Sequence, residues 1–256
     1  MDVWKYHDIR HRRHLLCNPI GTQKFERLCS LLNLKRGSRV FDMGCGKGEF
    51  LVRLAELYGV SGIGVDISPY CIRDAREKHR NRVPQSDLEF LEADGAKFKA
   101  EPESFDVAMC IGACWIYGGY RGTVRAMMEM AKQGGLVLVG EPFWLKEPDE
   151  EYLKTVGAET RARDFGSYED YVRIGEEQGL TCVYSLVSDR DDWDHYEWLT
   201  WWALDDYARA CPKDPDVSEF VQRGRREKED YLRWQRETLG WALYVFRKPA
   251  SIVRQT

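Results

Sequence analysis

Arg39-Val40-Phe41-Asp42-Met43-Gly44-Cys45-Gly46-Lys47-Gly48-Glu49 joins a short apolar run to a glycine-rich turn. The run follows Gly37 and reads as a buried strand. After the turn, Leu51, Leu54, Ala55 and Tyr58 fall on one face of a helix that Gly59 stops. The glycines let the chain bend tightly and leave bare backbone against which a ligand can lie, at the N-terminus of the helix. This is the first strand–helix unit of an α/β fold.

The same order continues along the chain. Ser61–Asp66 is a second strand, and Ser68 followed by Pro69 starts a helix that runs to about Arg80. Leu88–Glu92 alternates as a third strand, Phe105–Cys110 is a fourth, and Leu136–Val139 after Gly134-Gly135 is a fifth. Ser167 and Asp170 form a capping-box pattern before a helix that Gly179 ends. Leu180–Val187 and Trp241–Phe246 are strands six and seven, and the roughly fifty residues between them exceed any hairpin loop. That insertion carries Trp193, Tyr196, Leu199, Ala203 and Tyr207 at helical spacing, with Trp198, Trp201 and Trp202 on a neighbouring face. A more polar helix, Val217 to about Thr238, follows.

Dinucleotide-binding turns read G-x-G-x-x-G, and here Glu49 stands where the third small residue should be. The pattern is D-x-G-x-G-x-G, which resembles motif I of the class I S-adenosylmethionine-dependent methyltransferases, whose cofactor carries an amino-acid end and no phosphate. Asp66 ends the second strand 24 residues after Asp42, where a carboxylate can accept hydrogen bonds from both ribose hydroxyls. Asp94-Gly95 ends the third, and in the resembling family such an acid pairs with the adenine amino group. The resemblance implies S-adenosyl-L-methionine as cofactor, held by Asp42, Gly44, Cys45, Gly46, Asp66, Ile67, Asp94, Gly95, Ile111 and Gly112. It also implies a Rossmann-like seven-stranded sheet in the order 3-2-1-4-5-7-6, strand seven antiparallel, with a helical insertion between strands six and seven. The runs Asn18-Pro19, Gly112–Gly119, Gly140–Trp144, Asp192–Glu197 and Gly240-Trp241 resemble those of YjhP-type methyltransferases, a likeness that leaves the acceptor open.

In an open α/β sheet the ligand lies beyond the carboxyl ends of the strands, where their order switches. Cys114, Trp115 and Tyr117 after strand four are therefore the first candidates for the acceptor wall, and Glu141 and Trp144 after strand five the next. Methyl transfer is an in-line displacement at an already activated carbon, so the protein mainly positions and desolvates the reactants. Where the acceptor must lose a proton, Glu141 is the first candidate base, with Tyr117, His7 and His195 behind it. Trp115, Tyr117 and Glu141 are the expected catalytic set. The Trp- and Tyr-rich insertion suggests an aromatic cage for a cationic centre. Trp4-Lys5-Tyr6-His7 reads equally as a lid over the cofactor or as disordered chain.

Residues 1–256 are expected to form one methyltransferase domain, with an arm and helix over 1–34 and the insertion over 188–239, packed as core or set as a substrate cap. Lys and Arg number 38 against 42 Asp and Glu, a formal charge of −4, so nothing in the overall balance favours nucleic acid. No Asn-Pro-Pro-Tyr follows strand four, and no Pro-Cys pair stands there as cytosine carbon methylation would suggest. The eight cysteines form no C-x-x-C pair, so no metal is expected. No apolar run reads as a signal peptide or a membrane span, and a reducing cytoplasm fits the free thiols. We expect a small-molecule acceptor with an N, S or O nucleophile, no membrane partner, and an oligomeric state that the sequence leaves open. An RNA or protein methyltransferase, or a non-catalytic S-adenosylmethionine-binding regulator, is the alternative.

Overall fold

The computed structural model describes residues 2–155 and 165–250, so the ends of the expected 1–256 unit lie outside the described residues. Seven strands form one sheet: β1 (Arg39–Met43), β2 (Ser61–Asp66), β3 (Leu88–Glu92), β4 (Phe105–Ile111), β5 (Ala131–Trp144), β6 (Thr181–Val187) and β7 (Leu239–Arg247). Their order is β3-β2-β1-β4-β5-β7-β6, as expected. β1 to β5 pair in parallel, and β7 runs antiparallel to both β5 and β6.

Alternation along the strands divides the core into two layers. Val40, Val107, Met109, Leu136, Leu138, Leu243 and Val245 face a layer that includes Phe25 and Leu28 of α2 (Thr22–Leu31), Leu51 and Leu54 of α3 (Glu49–Tyr58) and Ile72 and Ala75 of α4 (Pro69–Arg82). The intervening Phe41, Met43, Ala108, Cys110, Val137, Val139, Tyr244 and Phe246 meet Val124 and Met127 of α5 (Tyr120–Met130) and Tyr171 of α7 (Tyr168–Glu177). Between them comes the short α6 (Glu150–Thr155). Each fully buried Val, Leu or Phe contributes roughly 1.5–3 kcal/mol relative to exposure, which fixes the register of these strands. Ser68 caps α4 by accepting from the Cys71 N–H, and Ser167 and Asp170 make the reciprocal bonds of a capping box on α7.

β5 begins at Ala131, earlier than the apolar run suggests. Phe105 of β4 pairs with Ala131, and a register shift then carries the pairing to Val107 and Leu136 across the polar Lys132-Gln133-Gly134-Gly135 stretch. Of the two readings of Trp4-Lys5-Tyr6-His7, the disordered arm is set aside. The segment is a helix, α1 (Val3–Arg10), whose N-cap Asp2 accepts from the Trp4 and Lys5 N–H groups.

The insertion between β6 and β7 is α8 (Arg190–Ala210) and α9 (Val217–Asp230), the latter continued by a π-turn over Tyr231–Gln235 and a last turn, α10 (Arg236–Thr238). Tyr6 and Ile9 of α1, Leu204 and Tyr207 of α8 and Phe220 of α9 make a third apolar cluster. Polar contacts surround it. Lys5 Nζ lies 2.7 Å from Asp214 and 3.1 Å from Asp216, and the Tyr6 hydroxyl donates to Glu227 at 2.8 Å. Arg13 and Lys24 pair with Asp206 and Asp192, each at 2.5 Å. The insertion is thus tied to the first two dozen residues of the chain.

Candidate functional site

A cavity of about 270 Å³ opens at the carboxyl ends of β1 to β4. The glycine turn forms its floor. Gly44 N–H and Cys45 N–H both donate to the Val65 carbonyl, at 2.8 and 3.0 Å, and Gly44, Gly46 and Gly48 all have positive φ. A side chain at Gly44 would press on Ala113 Cβ at 2.7 Å, whereas the Gly46 position faces Cys17 Sγ at 3.7 Å. The turn therefore presents backbone where any other residue would present carbon.

Asp66 stands at the end of β2 and holds this turn. Its Oδ2 accepts from Gly46 N–H at 2.9 Å and its Oδ1 from Ser68 N–H at 2.8 Å. Burial raises its pKa, and those two N–H bonds oppose the rise by favouring the ionised form. Asp42, almost fully buried beneath the turn, is pushed well above the usual carboxylate range by burial and then by the charge of Asp66. Asp94 is exposed by comparison. Its pKa is lowered by the hydrogen bond from Lys97 and by the Ala96 N–H, which donates at 3.0 Å. Ile67, Gly95, Ile111 and Gly112 complete the expected group, and all ten of the expected cofactor residues line this one cavity.

The opposite wall comes from the N-terminal segment: Trp4, His7, Leu15, Leu16, Cys17 and Asn18. Asn18 Nδ2 donates to the Ile111 carbonyl at 3.4 Å, and its side chain occupies the space that a Cβ on Gly112 would need. In the sequence Asn18 stands out only through the Asn18-Pro19 resemblance, with no role attached. The only signal was the dipeptide itself, because the partner at Ile111 lies 93 residues away.

The expected catalytic set is only partly gathered. Trp115 lines the cavity and is 40% exposed. Tyr117 and Glu141 are not on its wall. Glu141 is buried on β5 near Cys110 and Cys114, and Tyr117 is raised above the ordinary phenol range by burial. Trp144 packs on Tyr152 and Phe165, at 6.2 and 5.8 Å between ring centres, and Cys114 is buried. Of the other candidate bases, His7 lines the cavity, and His195 lines a neighbouring one.

The aromatic cage is corrected in the same way. Trp198, Trp201 and Trp202 face the protein's own cations, with Lys228 Nζ 4.3 Å from the Trp198 ring and 5.2 Å from Trp201, and the Arg13 guanidinium 4.2 Å from Trp202. No described residue of α8 reaches the main cavity. Asp191, Asp192, His195, Tyr196 and Leu199 instead line a second cavity of about 320 Å³, which shares Leu15, Leu16 and Asn18 with the first.

Between the two cavities lies a cluster of thiols and imidazoles that the spacing of the sequence did not reveal. His11 Nδ1–H donates to the His7 carbonyl at 2.8 Å, which leaves the lone pair on Nε2, 2.8 Å from the Tyr196 hydroxyl. Burial holds His11 well below the usual imidazole range and lowers His14 to about 4. The Cys17 thiol is held below the usual range by a hydrogen bond from Cys71, which is correspondingly raised. Cys71 Sγ is 3.9 Å from His7 Nδ1.

Comparison with known proteins bears on this geometry. A family model described as a methyltransferase domain matches residues 40–135. The chain is 29% identical to YjhP of Escherichia coli strain K12 over 245 residues, 96% of this chain and 98% of that protein. A solved structure of a SAM-dependent methyltransferase from Thiobacillus denitrificans, in complex with S-adenosyl-L-homocysteine, is 32% identical with a TM-score of 0.86, covering 96% of this chain and 99% of the other. Phosphoethanolamine N-methyltransferase 1 of Zea mays is 27% identical over 242 residues, 89% of this chain and 45% of that one.

Proposed function

Because the chain belongs to the S-adenosylmethionine-dependent methyltransferases, we propose that its acceptor is a small molecule, methylated on an N, S or O atom within the cavity above β1 to β4. One observation carries this reading. The cavity, about 270 Å³, is walled by Trp4, His7, Leu15 to Asn18 and Trp115 as well as by the glycine turn, an enclosure that suits a compact substrate better than a polymer. The net charge of −4 and the name of the maize relative, which acts on a small amine, lend support.

The residues present fit the cofactor. A glycine turn that a Cβ would obstruct lies beside an acid at the end of β2 and a second acid at the end of β3. Asp66 would hold the ribose hydroxyls and Asp94 the adenine amino group, with Ile67 and Gly95 against the ring. The Gly44, Cys45 and Gly46 backbone and Ile111-Gly112 would hold the amino-acid end, above Asp42. When bound, the cofactor supplies a methyl carbon activated by its sulfonium. The chain then has to orient the acceptor and exclude water, and Asn18 and Trp115 are on the wall to do so. Residues 188–239 act here as a buttress behind the N-terminal wall and not as a cap.

The test is a screen of amine, thiol and hydroxyl metabolites for S-adenosylhomocysteine release. Turnover of at least one supports the reading. Release only with RNA or a protein as acceptor, with binding that weakens steeply with salt, would overturn it.

A further inference from the structure

His7, His11 and Cys17 place one donor atom each within 4.8 Å of one another. Cys71 adds a fourth, its Sγ 3.9 Å from His7 Nδ1. The four donors come from three separated parts of the chain: α1 and its C-cap, the strap before α2, and the first turn of α4. We propose that His7, His11, Cys17 and Cys71 form a binding site for a soft divalent cation of the zinc class at the edge of the cofactor cavity.

The donor chemistry suits that ion. Two thiolates and two neutral imidazoles make the tetrahedral set that zinc prefers, and the thiolates neutralise its charge. Metal–sulfur and metal–nitrogen lengths of about 2.3 and 2.0 Å put such donors about 3.4–3.8 Å apart, so His7, His11 and Cys17 must close by up to about 1 Å, and Cys71, already near His7, must turn further toward the other two by side-chain rotation. His11 is already arranged as a ligand. Its Nδ1–H is committed to a backbone carbonyl, the usual outer support for a metal-bound imidazole, and its Nε2 carries the lone pair. Tyr196 would give up that nitrogen and keep the Cys17 carbonyl, 3.2 Å from its hydroxyl. A bound ion would fasten α1 and the strap to α4, and so fix the wall that Trp4, His7 and Cys17 form.

The experiment uses the full chain, reduced and stripped of metal, titrated with Zn²⁺ against a chromophoric chelator and separately with Co²⁺. One equivalent should bind, and the Co²⁺ form should show tetrahedral bands with thiolate charge transfer. Loss of an outer support alone costs about 10–100-fold in metal affinity, so Cys17→Ser and Cys71→Ser should each weaken binding by at least ~100-fold. Cys182→Ser, a half-buried thiol on β6, should leave it unchanged. Absence of stoichiometric binding in the parent protein, a Co²⁺ spectrum without a thiolate band, or binding retained in the double Cys17→Ser/Cys71→Ser variant would overturn the site. Should the cysteine variants not fold, the Co²⁺ spectrum of the parent and the affinity of His7→Gln decide. None of these readouts needs the methyl donor, so they stand apart from the assignment of the acceptor.

Discussion

The Asp66 carboxylate accepts the Gly46 N–H at 2.9 Å, so the acid at the end of β2 and the glycine turn after β1 are one rigid unit. The same oxygen pair that would meet the ribose also sets the shape of the floor beneath the cofactor. Binding and preorganisation therefore meet in one side chain.

Asp66→Ala should weaken S-adenosylhomocysteine binding by about two to four orders of magnitude in calorimetry, roughly one to two for each ribose hydroxyl. Hydrogen bonds to charged groups contribute roughly 1.5–3 kcal/mol each, and about 1.4 kcal/mol is a factor of ten. An unchanged affinity in a folded variant would remove Asp66 from the site.

Two glycines of the turn should separate folding from binding. At Gly46 an added methyl meets Cys17 Sγ at an ordinary 3.7 Å, so Gly46→Ala costs mainly the left-handed backbone, about 1–2 kcal/mol, while placing carbon on the cavity floor. At Gly44 the methyl lies 2.7 Å from Ala113 Cβ, and the neighbours must move. We expect Gly46→Ala to lose ligand affinity with a modest fall in Tm, and Gly44→Ala to lose more Tm. Paired calorimetry and thermal melts check this, and ligand affinity like that of the parent in Gly46→Ala would sink the cradle.

Glu141→Gln should leave S-adenosylhomocysteine affinity unchanged and lower kcat by less than about tenfold. Its side chain is buried behind the cavity, whereas a general base is worth roughly 10²–10⁴-fold. A hundredfold loss in a folded variant would restore it as the base.

Glu197, on α8, gives a pH-dependent prediction. Burial raises its pKa from 4.5 to about 7, with Arg10 opposing the rise and Glu227 adding to it. Between those two values the folded state keeps a proton that the unfolded state has lost, so this group makes stability fall as pH rises from about 4.5 to about 7. At about 1.4 kcal/mol per unit, the cost above pH 7 is at most about 3–4 kcal/mol. Glu197→Gln should therefore raise Tm at pH 8 and lose its advantage near pH 5. Denaturation at the two pH values decides, and equal effects at both would contradict the assignment.

Much of the fold was legible because it is local. β1, β2 and β3 are apolar runs bounded by turn residues, and Ser68-Pro69 and Ser167/Asp170 announce helix starts by the bonds they make. The floor of the cavity was legible for the same reason, since its glycines and acids follow directly on those strands. The far wall was not. α1 shows no apolar stripe, and it is held by Leu204 and Phe220, some two hundred residues away. The start of β5 was hidden because Lys132-Gln133-Gly134-Gly135 reads as a turn, and it is held by the pairing of Ala131 with Phe105 of β4 and by backbone bonds of Gly134 and Gly135 to Pro249 and Lys248, just past β7. The apolar run of strand five ends at Val139 and so sets Glu141 toward the acceptor, whereas β5 runs on to Trp144; residue type draws the tryptophans of α8 there, while the packing gives them the protein's own cations.

The ties between α1 and the β6–β7 helices have a consequence for biosynthesis. As the chain leaves the ribosome, the nucleotide floor can assemble once β4 has emerged, yet the front of the chamber must wait for Glu227, which anchors Tyr6 across 221 positions. Until then the nascent protein holds a half-built vessel, unable to shut its contents from water. Competence for ligand retention thus arrives in one late step, when the last helices come back to meet the first.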